Sequence, residues 1–571
     1  MRYLAFAADY DGTLATDGAV KDATVRALED LKASGRRLLL VTGRHLMDLR
    51  LAFRNLELFD RVVAENGAVL YNPASREERV LAEAPKKEFL DALRAAGVKF
   101  EVGRAIVSSW TPAETTILEV IKRLGLDCQL IFNKGAVMVL PSGINKATGL
   151  RVGLEDLRLS LHNVVAIGDA ENDHALLSLS ECGVAVANAL PALQQTADVV
   201  TKGDCGAGVL ELIEQLLKDD LRAYDHRLAR STIAIGVEQG AKRSEARIVP
   251  NRDTVLVAGA SASGKSSAVA GILEAAEQCG YQFCVIDPEG DFEGFAGAIP
   301  IGGPTERPDA DLVETVLKSP RSLVVNLMGV PLAERPGTLA ALLPRILETR
   351  AKTGRPHWLV IDEAHHLLPT TWAPVSSAIP QELGGMILIT VHPERVSRAA
   401  LAFVDVAVAL GKDAGETMTA FARATHIAEP RELPAKPPEP GQALLWRVRR
   451  RAPPTLLQTV RAKSERRRHK RNYAQGELSP EQSFYFRGPD GRLNLRAHNL
   501  LTFLQLGEGV DEETWLFHLR RGDFSQWFES VIKDEELALS AREIERTRPA
   551  RVAEGRRKLR EAVESRYTGP A

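Results

Sequence analysis

The sequence predicts an α/β fold: two doubly wound parallel-sheet (Rossmann-like) domains, the first with an inserted α+β cap, then a mainly helical C-terminal domain. Three observations predict it. Short β-branched runs alternate with helical patterns through residues 1–215, as in parallel strands joined by helical crossovers. The same alternation restarts at Thr254 and runs to about 428. Beyond that, proline and then arginine dominate before helical periodicity returns. The 571 residues accommodate about three to five domains.

In the first unit, 1–215, strands are expected at Leu4–Ala8, Leu38–Thr42, Val62–Ala64, Val164–Ile167 and Val184–Val186. Residues of about 75–145 break the alternation and read as a cap. Residues 216–250 read as a helical, polar connector. In the second unit, 251–428, strands are expected near Thr254–Ala258, Phe283–Asp287, Leu323–Asn326, Trp358–Asp362, Met386–Val391 and Val406–Leu410. Residues 429–475 read as a linker: Glu429–Gly441 carries Pro430, Pro434, Pro437, Pro438 and Pro440, and Arg447–Arg471 carries eleven Lys/Arg against one Glu. Residues 476–571 read as helical, with Trp515, Phe517, Trp527 and Phe528 as core candidates.

Composition removes several function classes. Hydrophobic residues are 45% and charged residues 26%, ordinary for a globular chain. Lys and Arg number 73 against 75 Asp and Glu, so no global charge draws the chain to nucleic acid or membrane. The five cysteines (Cys128, Cys182, Cys205, Cys279 and Cys284) form no C-x-x-C pair and read as reduced thiols. Asp9 and Asp11 interrupt the first apolar run, so no signal peptide is expected, and no run of 18 apolar residues offers a membrane span. The expectation is a cytoplasmic protein.

Chemistry gathers first at the predicted strand ends. Leu4–Ala8 runs into Asp9-Tyr10-Asp11-Gly12-Thr13. Leu38–Val41 runs into Thr42-Gly43-Arg44. Lys146 follows the cap-like insert, and Val164–Ile167 runs into Gly168-Asp169-Ala170-Glu171-Asn172-Asp173. Ligand sites in open α/β sheets form at these carboxyl ends. Carboxylates brought together there repel one another and imply a divalent cation, and oxygen-only ligands favour Mg²⁺.

These motifs resemble the haloacid dehalogenase (HAD) superfamily of phosphatases, in the cap-containing branch that includes sucrose- and trehalose-phosphate phosphatases. The resemblance covers residues 1 to about 215. It implies Asp9 as the nucleophile that takes the phosphoryl group, and Asp11 as general acid and then base. It implies Thr42 as a phosphoryl hydrogen-bond donor and Lys146 as the neutralising cation. Asp169 and Asp173 would hold Mg²⁺ with Asp9 and the Asp11 carbonyl. The substrate would be a small phosphate ester, chosen by the cap.

A second constellation starts after Thr254–Ala258. Gly259-Ala260-Ser261-Ala262-Ser263-Gly264-Lys265-Ser266 is G-x-x-x-x-G-K-S in its strand–loop–helix setting. Gly259, Ser263, Gly264, Lys265, Ser266 and Ser267 would cradle the phosphates of ATP, and Ser266 would ligate Mg²⁺. Trp358–Ile361 ends in Asp362-Glu363, where Asp362 would position Mg²⁺ and Glu363 would polarise the attacking water. Asp362-Glu363-Ala364-His365 also spells a helicase signature, but no glycine- and arginine-rich late motif accompanies it. Val285–Asp291 and the D-E-A-H run resemble the HerA/FtsK group of ring ATPases. That resemblance implies a homo-oligomer, a hexamer for preference, with an arginine in trans; Arg345, Arg350, Arg395 and Arg398 are the candidates. Thr390 and His392 are candidates to sense the γ-phosphate.

The sequence thus points to a Mg²⁺-dependent phosphomonoester hydrolase fused to an ATP-hydrolysing module that assembles or regulates it. One alternative is a bifunctional kinase–phosphatase acting on nucleic-acid ends or sugars. Another is a nucleotide-sensing defence or signalling module. Nucleic acid could bind Arg447–Arg471, but near-zero net charge and the lack of interleaved aromatics favour a solvated helix face or a partner of an acidic surface. His518 and Asp523 are read as helix packing.

Overall fold

The computed structural model of the chain describes residues 1–239, 243–261, 263–372, 384–434, 436–450, 452–460, 462, 478, 480–532, 534–547 and 551–567. It is mixed α/β, Rossmann-like at the N-terminus and helical towards the C-terminus.

The first sheet has eight strands. In spatial order they are Val199–Val200, Cys182–Ala185, Val164–Gly168, Ala5–Ala8, Arg37–Val41, Arg61–Ala64, Val69–Asn72 and Glu77–Val80. The first six run parallel, and the last two return antiparallel. Phe6, Ala7, Leu39, Leu40, Ala166 and Ile167 are wholly buried, so these short strands read as continuous apolar runs. Every strand expected in residues 1–215 is present within a residue or two at its ends.

The insert differs in one respect. Glu77–Val80, inside the expected cap, is the edge of the main sheet. The cap proper is a four-stranded antiparallel sheet of Glu101–Val102, Val107–Trp110, Ala136–Pro141 and Cys128–Asn133. Helices Lys87–Ala95 and Glu114–Leu124 pack on one of its faces through Phe89, Leu93, Ile117 and Val120.

The second sheet has eleven strands among the described residues. Its parallel part is Val406–Leu410, Thr254–Gly259, Met386–Thr390, Trp358–Ile361, Phe283–Asp287, Ser322–Asn326 and Ala298–Ile301. Two expectations need correction here. Residues 216–250 are not a helical connector, because Ile233–Gln239 and Ser244–Ile248 are strands of this sheet. Residues 429–475 are not simply a linker, because Gln442–Arg447 and Thr455–Thr459 pair antiparallel between Val406–Leu410 and Ile233–Gln239. The physical reason is the same in both. Leu444, Leu445, Leu457, Ile233 and Ile235 are buried and cover an edge that a parallel sheet would otherwise expose.

In the described part of Arg447–Arg471, two arginines meet acidic side chains at the second sheet. Arg447 donates to Glu238 Oε1 at 2.9 Å, and Arg449 pairs with Asp405. Residues 451, 461 and 463–471 of that run lie outside the described residues.

The C-terminal segment packs helices Leu500–Gly509, Glu512–Arg521, Asp523–Ser530, Glu535–Thr547 and Val552–Tyr567 against a two-stranded hairpin, Phe484–Phe486 with Leu495–Ala497. Trp515, Trp527 and Phe528 are buried there, whereas Phe517 is half-buried beneath the Arg521 guanidinium and is not a core residue. His518 holds Asp523 at 2.8 Å and accepts the Arg487 N–H at 3.1 Å, a structural pair as expected. All five cysteines are free thiols. No described helix is long and apolar enough to cross a membrane.

Candidate active site

Strand Ala5–Ala8 lies between Arg37–Val41 and Val164–Gly168, all parallel, so the chain leaves the three strands at one carboxyl rim. Asp9, Thr42 and Asp169 are the residues that follow. Lys146 opens helix Lys146–Asp156, whose first turn is capped by Asn145 and Thr148 reciprocally. The cap's exit thereby delivers a lysine to the rim.

The side chains converge. Lys146 Nζ donates to Asp9 Oδ1 at 2.6 Å and to Asp173 Oδ1 at 2.7 Å. Carboxylate oxygens of Asp9, Asp169 and Asp173 lie within 4.8 Å of one another, and all three residues are buried. Asp173 Oδ2 accepts the backbone N–H groups of Asp169 and Ala170, each at 3.0 Å. Burial pushes the Asp9 carboxyl well up, Lys146 opposes this, and Asp173 and Asp169 add to it. Asp169 is raised too, again chiefly by burial. Burial works against the charge on Lys146, but Asp173 and Asp9 more than offset it and hold the ammonium above its ordinary range.

Asp11 stands apart from this cluster. Arg44 grips it with two bonds, Nε to Oδ2 and Nη2 to Oδ1, both 2.6 Å. Thr42 is buried and its Oγ1 accepts the Arg44 N–H at 3.1 Å. Gly12 has φ +78°, and a Cβ there would collide with the Asp169 carboxylate, so the turn between Asp11 and Thr13 requires glycine.

Other side chains at the rim carried no role in the sequence reading. Thr13 Oγ1 donates to Asp169 Oδ1 at 3.0 Å. Asn172 donates to Asn66 Oδ1 at 2.9 Å. Glu65 accepts the N–H groups of Arg104 and Ala105 from the cap at 2.9 and 3.1 Å, and His45 lies beside it. Lys134, at the tip of a cap hairpin, donates to Asp169 Oδ2. Thr13 stood visible beside Asp11, while Lys134 is a lone lysine in a turn with no periodic signal around it.

The sequence profile of the haloacid dehalogenase-like hydrolases matches residues 6–108 and 114–213. The phosphoglycolate phosphatase of Methanothermobacter thermautotrophicus is 30% identical over 224 residues, which are 37% of this chain and 98% of that protein. That of Archaeoglobus fulgidus is 30% identical over 219 residues, 37% of this chain and 96% of that protein. Phosphoglycolate phosphatase 2 of Saccharolobus solfataricus is 27% identical over 217 residues, 37% of this chain and 91% of that protein. This chain belongs to the haloacid dehalogenase-like hydrolases. Its N-terminal domain is a HAD-family phosphatase domain, and the family generally uses Mg²⁺.

Outside the HAD domain, a second group of polar side chains lies at the carboxyl rim of the second sheet. Gly264, φ +93°, turns the loop into helix Lys265–Gln278. Lys265 Nζ donates to the carbonyls of Gly259 and Ala260 at 3.0 and 2.9 Å. Ser266 Oγ donates to Asp291 Oδ2 at 2.8 Å. Ser263 is half-buried and Ser267 exposed in the first turn. Asp362 is buried, its carboxyl raised by burial and by Asp291, Asp287 and Glu363. Asp287, raised to about 7 by burial and Asp291, accepts the N–H groups of Gly290, Asp291 and Phe292. Asp291 faces Ser266 but was assigned no role from sequence. Glu363 approaches His365, which shares a 3.1 Å hydrogen bond with Thr390 Oγ1. His392 stacks edge-on against His365 at 5.6 Å.

The arginine candidates separate. Arg395 adjoins the His365–His392 group, and Arg398 begins helix Arg398–Leu401. Arg345 pairs with Asp311 on the surface. Arg350 hydrogen-bonds Asn251 Oδ1 and the His357 carbonyl, which precede strands Thr254–Gly259 and Trp358–Ile361. It therefore sits at the rim opposite Gly259–Lys265 of its own chain.

Proposed function

We propose that residues 1–215 hydrolyse small phosphate monoesters through a phosphoryl group held on Asp9, and that residues 251–428 bind and hydrolyse ATP to regulate or assemble that activity. The observation that carries the first part is Lys146 bridging Asp9 and Asp173 inside a buried carboxylate cluster.

The donors fit Mg²⁺. Three buried carboxylates exceed the charge that Lys146 balances, and every donor is oxygen. Asp9, Asp169, Asp173 and the Asp11 carbonyl would hold the ion, which supplies charge neutralisation for the incoming phosphate dianion. The remaining work falls to the chain. An Asp9 oxygen attacks phosphorus and the bond to the ester oxygen breaks. Asp11, once one oxygen is released from Arg44 and has taken up a proton from solvent, gives that proton to the departing alkoxide. A water then loses a proton to Asp11 and attacks phosphorus, the bond to Asp9 breaks, and phosphate leaves. Lys146 and Thr42 hold the phosphoryl oxygens. The named relatives make 2-phosphoglycolate the first ester to assay. Asp9→Asn should abolish phosphate release from it, and undiminished release would remove Asp9 from this role.

For the second part, the carbonyls that Lys265 now satisfies would yield it to the β- and γ-phosphates. Ser266, Asp291 and Asp362 would hold Mg²⁺, and Glu363 would polarise water. A hexameric ring is part of this reading, tested by solution mass with and without ATP–Mg²⁺. ATP turnover that survives Lys265→Ala would refute the nucleotide site.

A further inference from the structure

We propose that Lys134 is a specificity-determining residue that pairs with a carboxylate on the leaving group of the ester. The inference rests on the phosphatase reading above and deepens it.

Lys134 and Gly135 are the two-residue turn joining Cys128–Asn133 to Ala136–Pro141, with φ +45° and +93°. Positive φ at both positions matches the primed turns that two-residue hairpins favour. The Thr111 N–H to Gly135 carbonyl bond, 3.0 Å, ties the turn to the neighbouring strand. The tip is thus a rigid mount carrying a flexible four-carbon stem.

That stem ends over the catalytic rim. Nζ donates to Asp169 Oδ2, and a Cβ added to Gly12 would lie only 2.7 Å from Nζ. The Asp169 side chain is fully buried, yet Lys134 is 46% exposed, so the ammonium stands at the mouth between cap and core. The other cations beside the aspartates are committed: Lys146 to Asp9 and Asp173, Arg44 to Asp11 with two bonds. Lys134 alone comes from the cap, and its partner is a carboxylate expected to face Mg²⁺. Two cations sharing one carboxylate repel, so a charged site leaves Lys134 seeking another anion. The phosphoryl group is served from the core side. What faces the cap is the leaving group.

The same mouth keeps that group small. Ser108 and Trp110 lie on the cap-sheet face opposite the helices, for Ser108 Oγ reaches His45 Nε2 of the core at 3.4 Å. Trp110 pairs with Ala136, two residues from Lys134, and is 51% exposed. A large ring and a lysine at one end of the cap sheet leave room for a short, singly charged tail.

The test compares 2-phosphoglycolate with 2-hydroxyethyl phosphate, which replaces the carboxylate by a neutral group of similar size. Wild type should prefer 2-phosphoglycolate. Lys134→Met should lower the ratio of the two kcat/KM values about tenfold or more, mostly through KM for 2-phosphoglycolate, as expected for loss of a charge-assisted bond. Lys134→Arg should keep part of the preference, which guards against a folding artefact. Without ester, calorimetric titration should show Mg²⁺ binding more tightly to Lys134→Met, because a competing ammonium is gone. An unchanged ratio, or a wild type that does not discriminate, overturns the assignment of Lys134 and leaves the phosphatase standing. A wild type inert towards both esters and towards aryl phosphates overturns the phosphatase reading itself.

Discussion

Tyr281 and Glu181 meet between the two sheets, the phenol hydroxyl within 3.0 Å of both carboxylate oxygens. Arg2 donates to the same carboxylate at 2.5 Å, and His162 Nδ1 lies 2.9 Å from it while stacking on Tyr281. Tyr281 closes the turn after helix Lys265–Gln278, and Glu181 immediately precedes strand Cys182–Ala185, the neighbour of the strand that ends just before Asp169. The contact joins the turn after helix Lys265–Gln278 to the amino-terminal end of strand Cys182–Ala185.

Glu181→Ala should destabilise the chain by about 3–5 kcal/mol, because it leaves the fully buried Arg2 without its principal counter-charge. Tyr281→Phe should cost less, about 1–2 kcal/mol. Denaturant unfolding gives both values, and equal costs would contradict the network. If the contact also transmits the nucleotide state, Tyr281→Phe weakens any effect of ATP on phosphate-ester hydrolysis while leaving ATP affinity intact.

Lys146→Met should reduce kcat for phosphate esters by about two to three orders of magnitude, the scale on which a single preorganised donor acts. With its ammonium gone, Asp9 and Asp173 face one another uncompensated. The Asp9 carboxyl, already raised, moves further up. The acidic limb of the activity profile should shift to higher pH in the variant. A pH profile superimposable on wild type would separate Lys146 from Asp9.

Lys265→Ala should remove ATP turnover but retain hydrolysis of small esters in the absence of nucleotide. Parallel assays of both activities decide it. Loss of both to the same degree would mean that the two sites are obligately coupled.

His357 gives a pH signature. It is wholly buried, accepts the Gln282 N–H at Nδ1 and lies 3.1 Å from Ser160 Oγ through Nε2. Burial, helped by His162, Arg355 and Arg350, depresses its pKa well below 6.5. The unfolded chain takes up this proton near pH 6.5 and the folded chain does not. Stability from this group is therefore complete above that pH and declines as pH falls towards the folded value, by about 1.4 kcal/mol per unit. Denaturation at pH 7.5 and 5.5 should show a smaller difference for His357→Gln than for wild type.

Much of this was legible in the sequence where chemistry is local. Asp9, Thr42, Asp169 and Asp173 announce themselves just past apolar runs, Lys146 just past the insert, and Gly259–Ser266 by its glycines and lysine. Remote pairing was not legible. Ile233–Gln239 has a glycine at Gly236 where its register with Ser244–Ile248 slips, and its other partner, Thr455–Thr459, lies more than 200 residues on. No local period advertises such a pairing. Arg44 was visible, but its grip on Asp11 depends on how two turns from different strands fold over each other. Lys134 depends likewise on where the cap comes to rest.

The antiparallel strands at the border of the second sheet limit how the protein can be dissected. A fragment cut at 251 and 428 would strip Gln442–Arg447, Thr455–Thr459, Ile233–Gln239 and Ser244–Ile248 from Val406–Leu410, baring backbone donors and acceptors beside the apolar Val408 and Leu410. Such a piece should precipitate on expression. The shortest excisable unit that keeps its border sealed spans 233 to 460, and its solubility relative to 251–428 is a direct measure of how much those four ribbons protect.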